Sequence, residues 1–76
     1  MKYYGINCVA KQTGITESTL RSWESMGYFD SDRVDLGNAE MRIYSDDHLD
    51  VLQRAKNLID DGMRVRAAFD FLNGHA

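Results

Sequence analysis

Proline is absent from this 76-residue sequence, and cysteine occurs once, as Cys8. A single cysteine cannot close an intramolecular disulfide, and one cysteine with two distant histidines gives no zinc-ligand spacing. The longest uncharged stretch, residues 3–10, is far shorter than the roughly 18 apolar residues that a membrane span needs. No charged-then-apolar leader opens the sequence. We therefore expect a protein of the reducing cytoplasm, with no membrane partner, metal or cofactor.

Catalytic groupings are missing as well. His48 and His75 are far apart in the sequence, and no Ser-His-Asp or paired-carboxylate arrangement stands out from the general acidity. Cys8 has no partner cysteine and is expected to be inert. We expect no enzymatic activity.

An excess of positive charge, which usually marks a nucleic-acid-binding protein, is also lacking. Nine Lys and Arg residues stand against twelve Asp and Glu, a net charge of -3. Residues 1–29 hold three basic and two acidic side chains, whereas residues 30–76 hold six and ten. An anion-binding surface must therefore be local and depend on a few arginines. The length suffices for one domain, which we assign to residues 1–76.

Glycines mark the ends of the first two predicted elements. Asn7 is expected to cap a helix over residues 8–13, which Gly14 closes in the left-handed conformation. Thr16 is expected to cap a second helix, which ends at Met26, before a further glycine. Two short helices joined by a glycine-containing turn are typical of a helix-turn-helix.

The second helix is predicted to have one buried and one exposed face. Leu20 and Trp23 lie three positions apart and so share the buried face. The remaining side chains, which we expect to face outward, are Glu17, Ser18, Arg21, Ser22 and Ser25.

The rest of the sequence predicts a small wing and two more helices. Residues 28–44 lack helical periodicity, and Gly37-Asn38 is a suitable hairpin turn for two strands. Ser45 is expected to cap the third helix, whose apolar stripe is Leu49, Leu52, Ala55, Leu58 and Ile59. A fourth helix, without a strong cap and ending at Gly74, presents Val65, Ala68, Phe69 and Leu72. The expected fold is mainly α: a winged helix-turn-helix with a two-stranded β wing and two following helices.

Specific motifs within these elements point to one family. They are Ile6, Val9-Ala10-Lys11, Thr13-Gly14-Ile15, Thr19-Leu20-Arg21-Ser22-Trp23-Glu24, Gly27-Tyr28-Phe29, Arg33 and Arg42-Ile43-Tyr44-Ser45. In this order and spacing they resemble the DNA-binding domain of the MerR family over essentially all 76 residues. The resemblance implies a recognition helix at about residues 16–26 in the major groove and a wing at about residues 28–44 on the DNA backbone.

The sequence departs from the family pattern at several positions. Ser22 stands where the family usually has an aromatic residue that reaches the DNA, and Ile43 replaces a second wing arginine. The wing also carries four acids: Asp30, Asp32, Asp35 and Glu40. Family regulators continue into a dimerising helix and an effector module, which 76 residues cannot contain. The sequence is therefore either part of a larger regulator or a small excisionase-like protein.

Seven residues are candidates for DNA contact. Arg21 can bind two phosphate oxygens or the edge of a guanine, although Glu17 or Glu24 could instead hold it in an ion pair. The other candidates are Thr16, Ser18, Ser22, Lys11, Arg33 and Arg42, for each of which an ordinary surface or capping role is the alternative. Aromatic residues are assigned to the core: Trp23, Tyr28, Tyr44, Phe69 and Phe71.

The function that follows is sequence-specific binding of double-stranded DNA in bacterial or phage transcription regulation, possible partners being RNA polymerase or a recombinase. The alternative is a protein-interaction module on the same fold, similar to co-chaperone modulators or antirepressors, that uses the acidic surface. Because all four apolar stripes are needed for the core, we expect a monomer that dimerises only on DNA or through a segment absent here.

Overall fold

A computed structural model of the protein describes residues 2–73. In chain order its elements are β1 (Tyr3–Tyr4), α1 (Ile6–Thr13), α2 (Glu17–Ser25), β2 (Asp32–Asp35), β3 (Glu40–Ser45), α3 (Asp46–Asp60) and α4 (Val65–Leu72). The expected order of two helices, a wing and two further helices is confirmed. Among the described residues, no helix has both the length and the hydropathy of a membrane span.

The expected two-stranded wing is confirmed as β2 and β3, and within residues 2–73 a third strand, β1, extends the sheet. The wing hairpin of β2 and β3 turns at Gly37, which has a φ of 93° that favours glycine. On the other edge of β3, β1 pairs antiparallel, with Tyr4 opposite Tyr44. A two-residue strand is too short to leave a period-two pattern in the sequence, which is why β1 was missed. The Tyr4 hydroxyl donates to Asp46 Oδ1 at 2.8 Å and so ties β1 to the start of α3.

The start of α1 differs from the prediction. Gly5, not Asn7, is the N-cap, and it supplies no side-chain capping hydrogen bond. Asn7 lies inside the helix, and its Oδ1 accepts a hydrogen bond from the neighbouring Cys8 N–H at 2.9 Å. The helix begins earlier because Ile6 packs against the core, which outweighs the local capping preference of Asn7. Gly14 closes the helix as predicted, with a φ of 77°.

The caps predicted for α2 and α3 are confirmed. Thr16 accepts a hydrogen bond from the Thr19 N–H. Ser45 accepts from the His48 N–H, and the His48 ring in turn accepts from the Ser45 N–H, which completes a capping box. For α4, Arg64 is the N-cap and makes no side-chain capping bond, as expected. Gly74, predicted to end this helix, lies outside the described residues.

The core lies where α1, α2, β3, α3 and α4 meet. Its fully buried side chains include Tyr44, Phe69, Leu20 and Leu52, and Trp23 contacts the Phe69 ring edge to face, with centroids 5.4 Å apart. Tyr28 is half-buried and stacks on the other side of Phe69.

The prediction that Phe71 belongs to the core is wrong, since it is 65% exposed. Two residues along a helix correspond to a rotation of about 200°. The side chain of Phe71 is therefore on the opposite face of α4 from Phe69.

Candidate nucleic-acid interface

The outward face of α2 carries small hydroxyls and one cation. Ser18, Arg21, Ser22 and Ser25 are exposed, while Leu20 and Trp23 are buried, so the predicted orientation of the helix is confirmed. The Thr16 hydroxyl accepts a hydrogen bond from the Thr19 N–H and donates one to the Thr19 hydroxyl, so it is engaged in capping. Ser18 and Ser22, in contrast, are exposed on the same outward face as Arg21.

Arg21 forms a surface ion pair within its own helix. Its Nη2 lies 3.3 Å from Glu17 Oε1, and the two side chains are 52% and 42% exposed. Exposed pairs at this spacing stabilise a helix by only about 0.3–0.5 kcal/mol, so a phosphate or a base edge can take the place of Glu17. Glu24, the other acid whose spacing allowed a pair with Arg21, turns toward the wing instead.

The Glu24 carboxylate is buried between α2 and the wing, with only 6% of its side chain exposed. It accepts hydrogen bonds from Arg33 Nη2 at 2.6 Å and from Ser31 Oγ at 2.9 Å. It also accepts a hydrogen bond at Oε1 from Arg42 Nε, at 3.3 Å, and the same Nε lies 3.2 Å from Oε2. Three donors from three segments satisfy the buried charge, as such a charge requires.

The role of Glu24 was missed in the sequence, although a signal was present. Glu24 is four positions after Leu20 and so shares the buried face of α2. A carboxylate on a buried face needs a cationic partner, and the two wing arginines were among the cations available beyond the helix itself. Spacing alone did not identify which of the wing residues would reach it.

Arg33 and Arg42 are direct neighbours across the wing hairpin. The register of β2 and β3 places them opposite each other, an arrangement that is destabilising for like charges. The Glu24 carboxylate bonds to both and offsets that repulsion. The Nη1 of Arg33 also lies 4.0 Å from Glu40 Oε2 at the wing surface.

A groove of about 350 Å³ brings the three arginines together. Arg21 enters it from α2, Arg33 from β2 and Arg42 from β3, and the start of α1 forms another wall. Lys11 lies outside this groove, on an adjacent depression next to Thr16. Of the seven candidates, the structure thus brings the arginines to one groove and leaves Lys11 and Thr16 beside it.

Acidic side chains lie along the wing, from its base to its turn. Asp32, Asp35 and Glu40 are exposed on the two strands, and Asp30 is exposed just before them. Asp35 has a local role, because its Oδ1 accepts the Gly37 N–H at 2.8 Å in the turn. Glu40 also lines the groove beside the three arginines, so its wing side carries negative charge as well.

Tyr44 is a core residue, as predicted. It is fully buried. Burial, and then the negative charge of Glu24, raise the pKa of Tyr44 above its usual value of 10.0, so the phenol stays neutral. Its hydroxyl has no hydrogen-bond partner in the part of the chain that the structure describes.

Comparison with known families shows that one family model spans these elements. The family model described as a MerR HTH family regulatory protein matches residues 4–74, a range that runs from β1 through α4. No curated protein matches the chain.

Proposed function

The chain belongs to the MerR HTH family of regulatory proteins, and from this premise we propose that it binds double-stranded DNA in a sequence-specific way to regulate bacterial or phage transcription. In this proposal α2 enters the major groove and the wing lies on the neighbouring backbone.

The observation that carries the proposal is the convergence of Arg21, Arg33 and Arg42 on one groove. Arg21 projects from the exposed face of a helix that is braced by α1, the position of a recognition helix. Its guanidinium suits the O6 and N7 acceptors of guanine or a phosphate. Arg33 and Arg42, at the edge of the wing, are placed to meet phosphates, which fix the register of a protein on the duplex.

The other candidates play supporting roles in this proposal. Ser18 and Ser22 donate to phosphates or base edges next to Arg21. Lys11 contacts the backbone at the adjacent depression. The Thr16 hydroxyl is already bonded to Thr19. Thr16 therefore supports DNA binding indirectly, by stabilising the start of α2.

Binding of mixed-sequence duplex DNA over a range of salt concentrations tests the proposal. If Lys11, Arg21, Arg33 and Arg42 each neutralise one phosphate, log K should fall against log salt with a slope of about -3.6. Affinity should then drop by about 150-fold between 50 and 200 mM salt. No binding at low salt, or binding that salt does not weaken, contradicts the proposal.

A protein-interaction role on the same fold has one observation in its favour. Each of the three groove arginines is already paired with an acid, and the exposed wing acids would repel a polyanion. A basic protein partner docked on the wing would account for both. If the chain binds such a partner instead of DNA, it should not bind duplex DNA even at low salt. Asp32→Asn and Asp35→Asn should then weaken its binding of a basic peptide.

The partners and the place of action belong to the same proposal. We place the protein on cytoplasmic, nucleoid DNA, where it acts with RNA polymerase or a recombinase. One winged module covers little DNA, so two copies on neighbouring half-sites, spaced by whole helical turns, would supply the missing affinity.

A further inference from the structure

The contacts of Glu24 do more than satisfy a buried charge. Arg33 and Arg42 remain 45% and 33% exposed at their side chains while they are bound to it. Each guanidinium has five N–H donors, so one that gives a donor to Glu24 keeps others for a ligand. Glu24 neutralises one of the two positive charges, and the exposed Glu40 carboxylate, 4.0 Å from Arg33 Nη1, offsets part of the remaining one.

Without this carboxylate, the two wing arginines would lack a fixed direction. The register of the hairpin sets them opposite each other, where their charges repel. A free arginine side chain also has many rotamers, and ordering it on binding weakens affinity. Glu24 bonds to both arginines from α2, the helix that also carries Arg21. It therefore links the directions of the two wing guanidinium groups to the position of that helix.

We propose that Glu24 is a positioning residue for DNA recognition: its buried carboxylate, without touching the nucleic acid, holds Arg33 and Arg42 in the directions in which they meet backbone phosphates. This inference rests on the proposed function and specifies how that site is assembled. It gives a reason for an acid in the middle of an anion-binding surface, which by charge alone would oppose binding.

The first test uses the wild-type protein without DNA. Relaxation of the arginine Nε–Hε groups by nuclear magnetic resonance gives an order parameter for each guanidinium. We expect Arg33 and Arg42 to be rigid, whereas Arg21 and Arg54, held by exposed pairs within their helices, should be mobile. Wing arginines as mobile as Arg21 and Arg54 would overturn the proposal.

The second test compares Glu24→Gln with Asp50→Asn. Both changes remove one negative charge, and Asp50 pairs with Arg54 on α3, outside the groove. By charge alone both variants would bind duplex DNA more tightly. We expect Glu24→Gln to bind about 10-fold more weakly, because two arginines must now be ordered on binding, and Asp50→Asn to bind as the wild type or slightly tighter.

Two further measurements separate positioning from general destabilisation. In folded Glu24→Gln the order parameters of the wing arginines should fall, and the salt slope should become shallower by up to about 1.8 as two phosphate contacts are lost. Equal affinity and slope in the two variants would overturn the proposal. If Glu24→Gln does not fold, Glu24→Asp keeps the charge but withdraws the carboxylate by one methylene. Glu24→Asp should show the same loss of arginine rigidity and of DNA affinity. A Glu24→Asp variant with the rigidity and affinity of the wild type would also overturn the proposal.

Failure of the proposed function can be told apart from failure of this inference. Wild-type protein that binds no DNA contradicts the function, and the role of Glu24 in DNA binding falls with it. The order parameters are measured without DNA, so they decide separately whether Glu24 holds the two guanidinium groups.

Discussion

Replacing Arg21 with alanine should weaken DNA binding and leave the domain folded. The side chain is 52% exposed, and its one ion pair, with Glu17, is an exposed pair within α2. Loss of such a pair costs about 0.3–0.5 kcal/mol, which lowers the midpoint of thermal unfolding by only about 1–4 °C in a domain of this size. A bidentate guanidinium contact with DNA contributes about 1–3 kcal/mol, so affinity should fall about 5- to 150-fold.

Arg54→Ala is the matched control for this prediction. Arg54 forms the same kind of exposed pair with Asp50 on α3, and its removal changes the net charge by the same amount. It lies outside the groove, so its effect on affinity should stay within about 3-fold, the contribution of distant charge at physiological salt. Fluorescence anisotropy with a labelled duplex, combined with thermal unfolding followed by circular dichroism, measures both quantities. Equal losses of affinity in the two variants would refute the assignment of Arg21, and a sharp loss of stability in Arg21→Ala alone would show that the residue is structural.

Three other outcomes follow from the packing. Trp23→Ala should cost about 3–5 kcal/mol, enough to unfold most of so small a domain, and a cooperatively folding variant would show that the contact with Phe69 matters little. Tyr44→Phe should leave stability unchanged or raise it by up to about 1 kcal/mol, because the buried hydroxyl has no hydrogen-bond partner among the described residues; a loss of stability measured in urea would reveal a hydrogen bond, with Ser31 as a candidate partner. The isolated chain should be monomeric by sedimentation over a concentration series, and a dimer at micromolar concentration that Phe71→Ser dissociates would assign exposed Phe71 to an interface.

The sequence was most informative where a feature depends on neighbouring residues. Thr16 and Ser45 were identified as caps because a hydroxyl before a helix bonds to an N–H three residues on, and both bonds are present. The orientation of α2 followed from the spacing of Leu20 and Trp23. The left-handed turn at Gly14 was likewise a local property.

Features that depend on distant parts of the chain were harder to predict. Pairing of β1 with β3 joins residues about 40 positions apart, and the early start of α1 depends on packing of Ile6 against the core. The same holds for the candidate site. Exposure of Arg21 could be predicted from its own helix, but the shared carboxylate of Glu24 depends on the angle at which the wing meets α2, which sequence spacing does not specify.

Mapping of the DNA-contacting surface tests the central claim most directly. The isotope-labelled protein is titrated with a short duplex at low salt, and nuclear magnetic resonance reports which backbone amides and arginine side chains change in chemical shift. The proposal predicts the largest changes at Ser18, Arg21 and Ser22 on α2 and at Arg33 and Arg42 in the wing, with α4 little affected. Changes confined to α3 and α4, or no change at DNA concentrations that saturate a micromolar site, would contradict it.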